Sequence, residues 1–338
     1  RIPRISTGIF QLDLGLGGGW PVGRFNTAYG PKSSGKTTLF LRSIAQAQNM
    51  CSNCWTADWV DVDTGEVSPC ACGNFRQVVS VFLDVEGAFD AQWARRVGVD
   101  LDRLILSNPD YAEQTLDIAE ALIRSTEVDI LCLDSIAFLT PSKEIEESSG
   151  KALQAEQARA LGRGIRKLNM ARQYCLNKTG RPPTFFFTNQ VRYKIGLLFG
   201  NPETQPGGNA PQFAASTEVR CSGGKYHIDE DRTQRAMYVD LKFKIEKNKT
   251  DVSASAGEYR MYLMDTPQKK MGEIDDEPFM LEYAIKLELI AKDGNGWVIF
   301  GEKYKKKGDI LDRLYADPAF KHTVGRAIVQ ILAPASLT

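Results

Sequence analysis

The chain has 338 residues, 43% hydrophobic and 25% charged, which excludes a disordered or fibrous polymer and suits a large core with a smaller companion. Its 42 basic and 42 acidic side chains cancel, so any nucleic-acid contact must come from local basic patches rather than a global field. No run of 18 apolar residues suggests a membrane span, and 7 cysteines do not make a disulfide scaffold at this length, so a reducing, cytoplasmic setting is expected.

The chain opens on Arg1 rather than Met and without a signal peptide, so a preceding segment is expected. Residues 1–23 are a short, Gly-rich stretch in which Gly15 to Pro21 read as a turn ahead of the first core strand, residues 25–29. Gly30, Pro31, Lys32, Ser33, Ser34, Gly35, Lys36, Thr37 and Thr38 follow, in the pattern G-x-x-x-x-G-K-[ST]. Residues 38–50 then predict a helix with Leu39, Ile44 and Ala47 on its buried face. A strand, a glycine-bounded loop and a helix in that order make a phosphate cradle, because backbone N–H groups and the helix dipole converge on one point. Lys36 would reach the β- and γ-phosphates and the Thr37 hydroxyl would ligate Mg²⁺. A Gly/Ser-rich turn that binds nothing is the bland alternative, and the context argues against it.

Residues 51–73 are poor in aliphatic side chains and look like an insertion. Cys51, Cys54, Cys70 and Cys72 within it form two close pairs, C-x-x-C and C-x-C, that suit tetrahedral Zn²⁺ in a slightly irregular zinc-ribbon-like loop. Disulfides or free thiols are the alternatives. Residues 79–84 and 129–134 read as strands buried on both faces, and residues 91–97 and 113–125 as helices, the second with Leu116, Ala119 and Ile123 in phase. A long helix is predicted over 152–176, broken by Gly180, Pro182 and Pro183 before a strand at 184–188. Such alternation implies an α/β fold with a mostly parallel central sheet over residues 1–274. Beyond it, residues 238–245 and 258–263 alternate as longer strands, and residues 275–338 predict a small α+β C-terminal domain with a hairpin at Gly294-Asn295-Gly296.

Asp134 ends a run of apolar residues, as a strand would deliver it to the phosphate end of the sheet to hold Mg²⁺ through water; a helix cap is the simpler alternative. Glu86 lies just past the strand ending at Asp84, where a carboxylate can act as general base on the attacking water; a solvated loop glutamate is the other reading.

At Glu86 it becomes plain that the sequence resembles the bacterial RecA recombinase family, over nearly the whole chain from Ile5-Ser6-Thr7-Gly8 to the C-terminal domain. F-L-D-V-E-G-A-F-D, L-C-L-D-S-I-A-F-L-T-P and T-N-Q-V-R-Y-K-I-G-L-L-F-G-N-P-E-T-Q-P-G-G-N-A carry the likeness, and residues 189–210 are its most specific part. The resemblance implies an ATP-dependent, RecA-like P-loop ATPase that forms a helical filament on single-stranded DNA and exchanges strands with homologous double-stranded DNA. It makes Gln190 the γ-phosphate sensor, and sets Asp90 and Trp93 against the adenine. Lys247 and Lys249 become cations reaching a neighbouring subunit's ATP; without the resemblance they read as a solvated turn. Two DNA-binding loops are implied, about 147–154 and 191–209, the second with Arg192, Lys194, Ile195, Gly207, Gly208 and Asn209. Arg159 and Arg166 match positions near the DNA backbone, and Arg163 lines the same helix, although a solvated face would look alike. Lys303 to Lys307 is a local basic run that could gather duplex. The cysteine insertion departs from the family, and so does the lack of the helix and strand that precede the core. Autoinhibition by the acidic tail common at the family's C-terminus is not expected. A hexameric DNA helicase or branch-migration motor on the same fold, or an ATP-binding filament scaffold that recruits partners, are the rival readings.

Overall fold

A computed structural model describes residues 2–56, 59–60, 67–68, 70, 72–141, 151–193, 203–228, 235–251 and 255–332. Its frame is an eight-stranded sheet. The strands are β1 (Phe25–Gly30), β2 (Ser80–Asp84), β3 (Leu104–Ser107), β4 (Ile130–Asp134), β5 (Thr184–Gln190), β6 (Thr217–Ile228), β7 (Ala236–Asn248) and β8 (Ala256–Tyr262). They lie in the order β8-β7-β6-β1-β5-β4-β2-β3. From β6 to β3 all neighbours are parallel, whereas β7 and β8 return antiparallel at the other edge. The expected large, mostly parallel α/β sheet is therefore present.

Helices α1 (Phe10–Leu16), α2 (Lys36–Gln48) and α3 (Ala91–Arg96) share one buried cluster; α4 (Ala112–Arg124) and α5 (Lys151–Thr179) share another. The strands separate these clusters because successive side chains point to opposite faces. Phe186 faces α2, where its ring stacks on Phe40 at 4.7 Å, while Phe185 and Phe187 join the α4 and α5 side. Ile130 and Cys132 take the first face, Leu131 and Leu133 the second. Near-continuous apolar runs in β2, β4 and β5 are thus a requirement of double-sided burial. A short helix α6 (Ala210–Ala214) packs beside α5.

Residues beyond β8 form α7 (Glu277–Lys286), three antiparallel strands β9 (Ile290–Asp293), β10 (Gly296–Ile299) and β11 (Glu302–Tyr304), then α8 (Lys307–Ala316) and α9 (Pro318–Leu332). Met280, Leu281, Ile310, Leu314 and Val324 are buried in a cluster of their own, against which Phe10 and Leu14 of α1 pack.

Two elements differ from the sequence reading. Leading into the Gly-rich turn is α1, which the sequence reading did not name; it forms because Ile9, Leu12 and Leu16 are spaced to bury together under the sheet. Strand β3 gives no alternation signal, since it is an edge strand with Ile105 and Leu106 both exposed. Helix α5 begins at Lys151, so residues 151–154 of the first expected DNA loop are helical; residues 147–150 lie outside the described residues. Among the described residues no helix is long and apolar enough to cross a membrane.

Phe186 is fully buried between Trp20 and Phe40. Phe186→Ala is expected to lower unfolding free energy by about 3–5 kcal/mol, measured by urea denaturation.

Candidate nucleotide site and nucleic-acid interface

The parallel strands end together. Register sets Gly30 beside Gln190 and Asp84 beside Asp134, so the carboxyl ends of β1, β5, β4 and β2 present their terminal residues along one edge. In open parallel sheets this edge is where ligands bind. Glycine is required at Gly30, because a Cβ there would stand 2.0 Å from the carbonyl oxygen of Cys221 on β6. Pro31 to Gly35 then turn the chain into α2, which starts at Lys36 and aims its N-terminus at the loop. The Lys36 ammonium lies inside this cradle and donates to the Pro31 and Gly30 carbonyls at 2.6 and 3.2 Å. Burial pulls its pKa down, against the pull of nearby acidic groups that include Asp134 and Glu86. Lys32 and Ser33 are exposed at the rim, and Ser34 donates to the Pro31 carbonyl at 2.8 Å.

Asp134 is buried and bridges two hydroxyls. Thr37 donates to one carboxylate oxygen at 2.6 Å, and Thr188 of β5 donates to the other. Burial raises the Asp134 pKa, these hydrogen bonds lower it, and neighbouring Asp84 raises it again. A buried carboxylate beside the P-loop threonine is the donor set that would hold Mg²⁺.

Glu86 is half-buried on the loop after β2. That loop is held from both sides: the Val85 and Glu86 amides donate to the Asp134 carbonyl at 2.8 and 3.2 Å, and Asp84 accepts from the Ala88 and Phe89 amides at 3.2 and 2.9 Å. The Glu86 pKa is raised, first by burial and then by Asp134, while Lys36 and Lys32 oppose the rise. A carboxylate of raised pKa near a phosphate cradle has the character of a general base. Asp84 and Thr188 were missed as positioning groups. A strand-end carboxylate and a lone hydroxyl after three phenylalanines were the available signals.

Asp90 caps α3, accepting from the Gln92 and Trp93 amides at 2.8 and 3.0 Å, and the Trp93 indole donates to Thr38 at 2.9 Å. The structure therefore brings Trp93 to the loop helix, while Asp90 caps the helix that carries it. Gln190 is partly buried at the end of β5, directly before a short hairpin stem in which Arg192 and Tyr193 pair with Thr204 and Glu203. Arg192 is exposed; Lys194 and Ile195 lie outside the described residues. Gly207 is buried against α5, where a Cβ would come within 2.5 Å of Leu161, so its sequence position in the second loop carries a packing constraint. Gly208 and Asn209 are exposed beside it, and so, along α5, are Arg159, Arg163 and Arg166.

Lys247 and Lys249 are not brought to this chain's own loop. Lys247 pairs across β6 at Glu218, which aligns with Thr27, towards the end where the parallel strands begin. There the two ammonium groups donate to the Gln212 and Phe213 carbonyls of α6. Of the basic run in the C-terminal segment, Lys303 pairs with Asp293 at 2.6 Å in an exposed salt bridge.

The sulfur atoms of Cys51, Cys54, Cys70 and Cys72 lie within 4.8 Å of one another and none is in a disulfide. Cys51 and Cys72 are 3.8 Å apart, the edge length of a tetrahedron with metal–sulfur bonds of about 2.3 Å. Burial raises the Cys51 thiol, but backbone amides led by Arg76 outweigh it and bring it down to about 6. The four side chains could hold one metal ion.

The family described as RecA N-terminal domain matches residues 1–65 and 67–264. Protein RecA of Nautilia profundicola is 40% identical over 304 residues, spanning 89% of this chain and 74% of its own. Protein RecA of Teredinibacter turnerae is 36% identical over 307 residues, 89% of this chain and 76% of its own. For Protein RecA of Acinetobacter baylyi the identity is 34% over 342 residues, covering 99% and 85%.

Gly207 has φ +90° as well as its close approach to Leu161. Gly207→Ala is expected to cost about 1–3 kcal/mol in urea unfolding. Combined with Leu161→Ala, the loss should be smaller than the sum of the two single losses.

Proposed function

The chain belongs to the RecA family of recombinases, and from that membership we infer an ATP-dependent enzyme that assembles on single-stranded DNA and pairs it with homologous duplex. The observation that carries this reading is the gathering of Lys36, Thr37, Asp134, Glu86 and Gln190 at one sheet edge, with a candidate DNA loop starting directly after Gln190.

In the proposed mechanism the loop from Gly30 to Thr38 holds the ATP phosphates and Asp90 and Trp93 flank its base. Thr37 and Asp134 would hold Mg²⁺, which screens phosphate charge when bound. Glu86 orients a water in line with the γ-phosphorus and takes its proton. Lys36 offsets the charge that builds on the phosphoryl oxygens. Lys247 and Lys249, remote from their own loop, are assigned to the ATP of the neighbouring subunit, so hydrolysis needs the filament. Gln190 hydrogen-bonds the γ-phosphate and reports its presence to the loop at 191–209. Arg159, Arg163, Arg166, Arg192 and Lys194 meet the phosphate backbone, and Ile195 inserts between bases. Hydrolysis then serves release.

Glu86→Gln is expected to lower DNA-stimulated hydrolysis by about 10²–10⁴-fold while filaments still form on single-stranded DNA with ATP. Turnover and electron microscopy check this together; normal turnover in that variant removes Glu86 from its role.

We assign the four cysteines to one structural Zn²⁺, on the mutual approach of their sulfur atoms. Residues 51–73 are then a small zinc-ribbon-like insertion, and residues 275–338 a small α+β domain on the ATPase core. Elemental analysis of unchelated protein should find about one zinc per chain, lost in Cys51→Ser/Cys54→Ser with a lowered melting temperature. Protein purified without zinc sinks the assignment.

A further inference from the structure

The hairpin stem that leads into residues 194–202 is stitched to the sheet twice. On the β5 side, the fully buried Asn189 amide donates to the Gln205 side-chain oxygen and the Pro206 carbonyl, both at 3.2 Å. On the β6 side, Arg220 grips Glu203 through two parallel hydrogen bonds, Nε to Oε2 at 2.9 Å and a terminal nitrogen to Oε1 at 2.5 Å. The remaining terminal nitrogen donates to Ser222 at 2.7 Å, which fixes the plane of the fork. Both partners of the ion pair are largely buried, with side-chain exposures of 27% and 17%.

The strand order makes this pair more than a local contact. Strand β1 lies between β5 and β6, and Arg220 is in register with Tyr29, the residue before Gly30. A side chain on β6 thus reaches past the end of the phosphate-loop strand to hold a stem that grows out of β5. Tyr29 lies beneath this span: burial and then Glu246 push its phenol up to about 12, with Arg220 and Glu203 also acting on it. The stem is therefore clamped on both sides of the point where the phosphate loop begins. A two-point anchorage of this kind fixes the direction of the stem relative to both β5, which ends at Gln190, and β6. A single anchorage would let the loop move independently.

We propose that Arg220 is a positioning residue that couples nucleotide state to the loop at 191–209, by clamping Glu203 across the end of β1. The proposal rests on the reading of that loop as the single-stranded DNA contact. A bidentate guanidinium–carboxylate pair suits this role because it fixes direction as well as distance, which a lysine would not do.

The test compares Arg220→Ala, Arg220→Lys and the exchanged pair R220E/E203R in the full chain. Each variant's ATP hydrolysis is measured with and without single-stranded DNA, the DNA-free rate serving as its own reference. Single-stranded DNA affinity is measured with a non-hydrolysable ATP analogue and with ADP. Arg220→Ala should cut the DNA stimulation about tenfold and narrow the difference in DNA affinity between the two nucleotides by a similar factor. Arg220→Lys should fall between, and the exchanged pair should recover most of the loss. Undiminished stimulation in Arg220→Ala overturns the proposal. So does a loss that tracks a lowered melting temperature equally in all three variants, since that is a merely structural role. Arg192→Ala separates the underlying reading: if it leaves DNA affinity unchanged, the loop assignment fails whatever Arg220 does.

Discussion

The Asp134 carboxylate joins parts of the chain that have no sequence proximity. It ends β4, accepts from Thr37 on the loop helix and from Thr188 on β5, and its backbone carbonyl accepts the Val85 and Glu86 amides. Thr37 and the Glu86 loop are thereby positioned relative to one buried anion. A carboxylate in that setting is stable only while its hydrogen bonds persist, since burial and Asp84 both work against its charge. Folding and nucleotide chemistry meet at this point: the hydroxyls that make the buried charge tolerable are those that fix the loop helix against the sheet.

The central features were legible because they obey short-range rules. The phosphate loop is a contiguous pattern, and β2, β4 and β5 announce themselves as apolar runs that only double-sided burial explains. What the sequence concealed is relational. Thr188 looks like an ordinary strand residue until register sets it against Asp134. Helix α1 was hidden by a cluster of glycines after it, and its helical character follows from tertiary burial of Ile9, Leu12 and Leu16 rather than from propensity. Strand β3 was hidden because an exposed edge needs no alternation. Gly207 was read through its position in the second loop, yet the contact that demands a glycine is with Leu161 on α5.

The sheet also explains why one chain does not hold the whole proposed site. Lys247 sits level with Thr27, on the far side of β6 from β1, and its ammonium is turned to the α6 carbonyls. Both lysines are thus held on α6, which carries the exposed Phe213 and packs beside α5. If these cations serve an ATP site as proposed, it is that of another copy.

The cysteine segment occupies the opposite end of the same strands. It leaves the C-terminal end of α2, and Cys51 forms a β-bridge with Gln77 just before β2. Arg76 then ties it to the start of β4, donating to Ser52 at 2.7 Å and to Asp129 at 2.6 Å, while Asp129 accepts from the Val79 amide at 2.9 Å. Burial raises the Asp129 pKa, and Arg76 works to hold its charge. Strands β2 and β4 then run about 15 Å from this foot to Asp84 and Asp134, at roughly 3.3 Å per residue. Chemistry sits at the carboxyl ends of parallel strands, so an insertion at their amino ends can grow without touching it. Its described residues connect to the nucleotide end through α2, which it follows, and through the strands it braces. The described part of the segment thus lies away from the arrangement around Asp134.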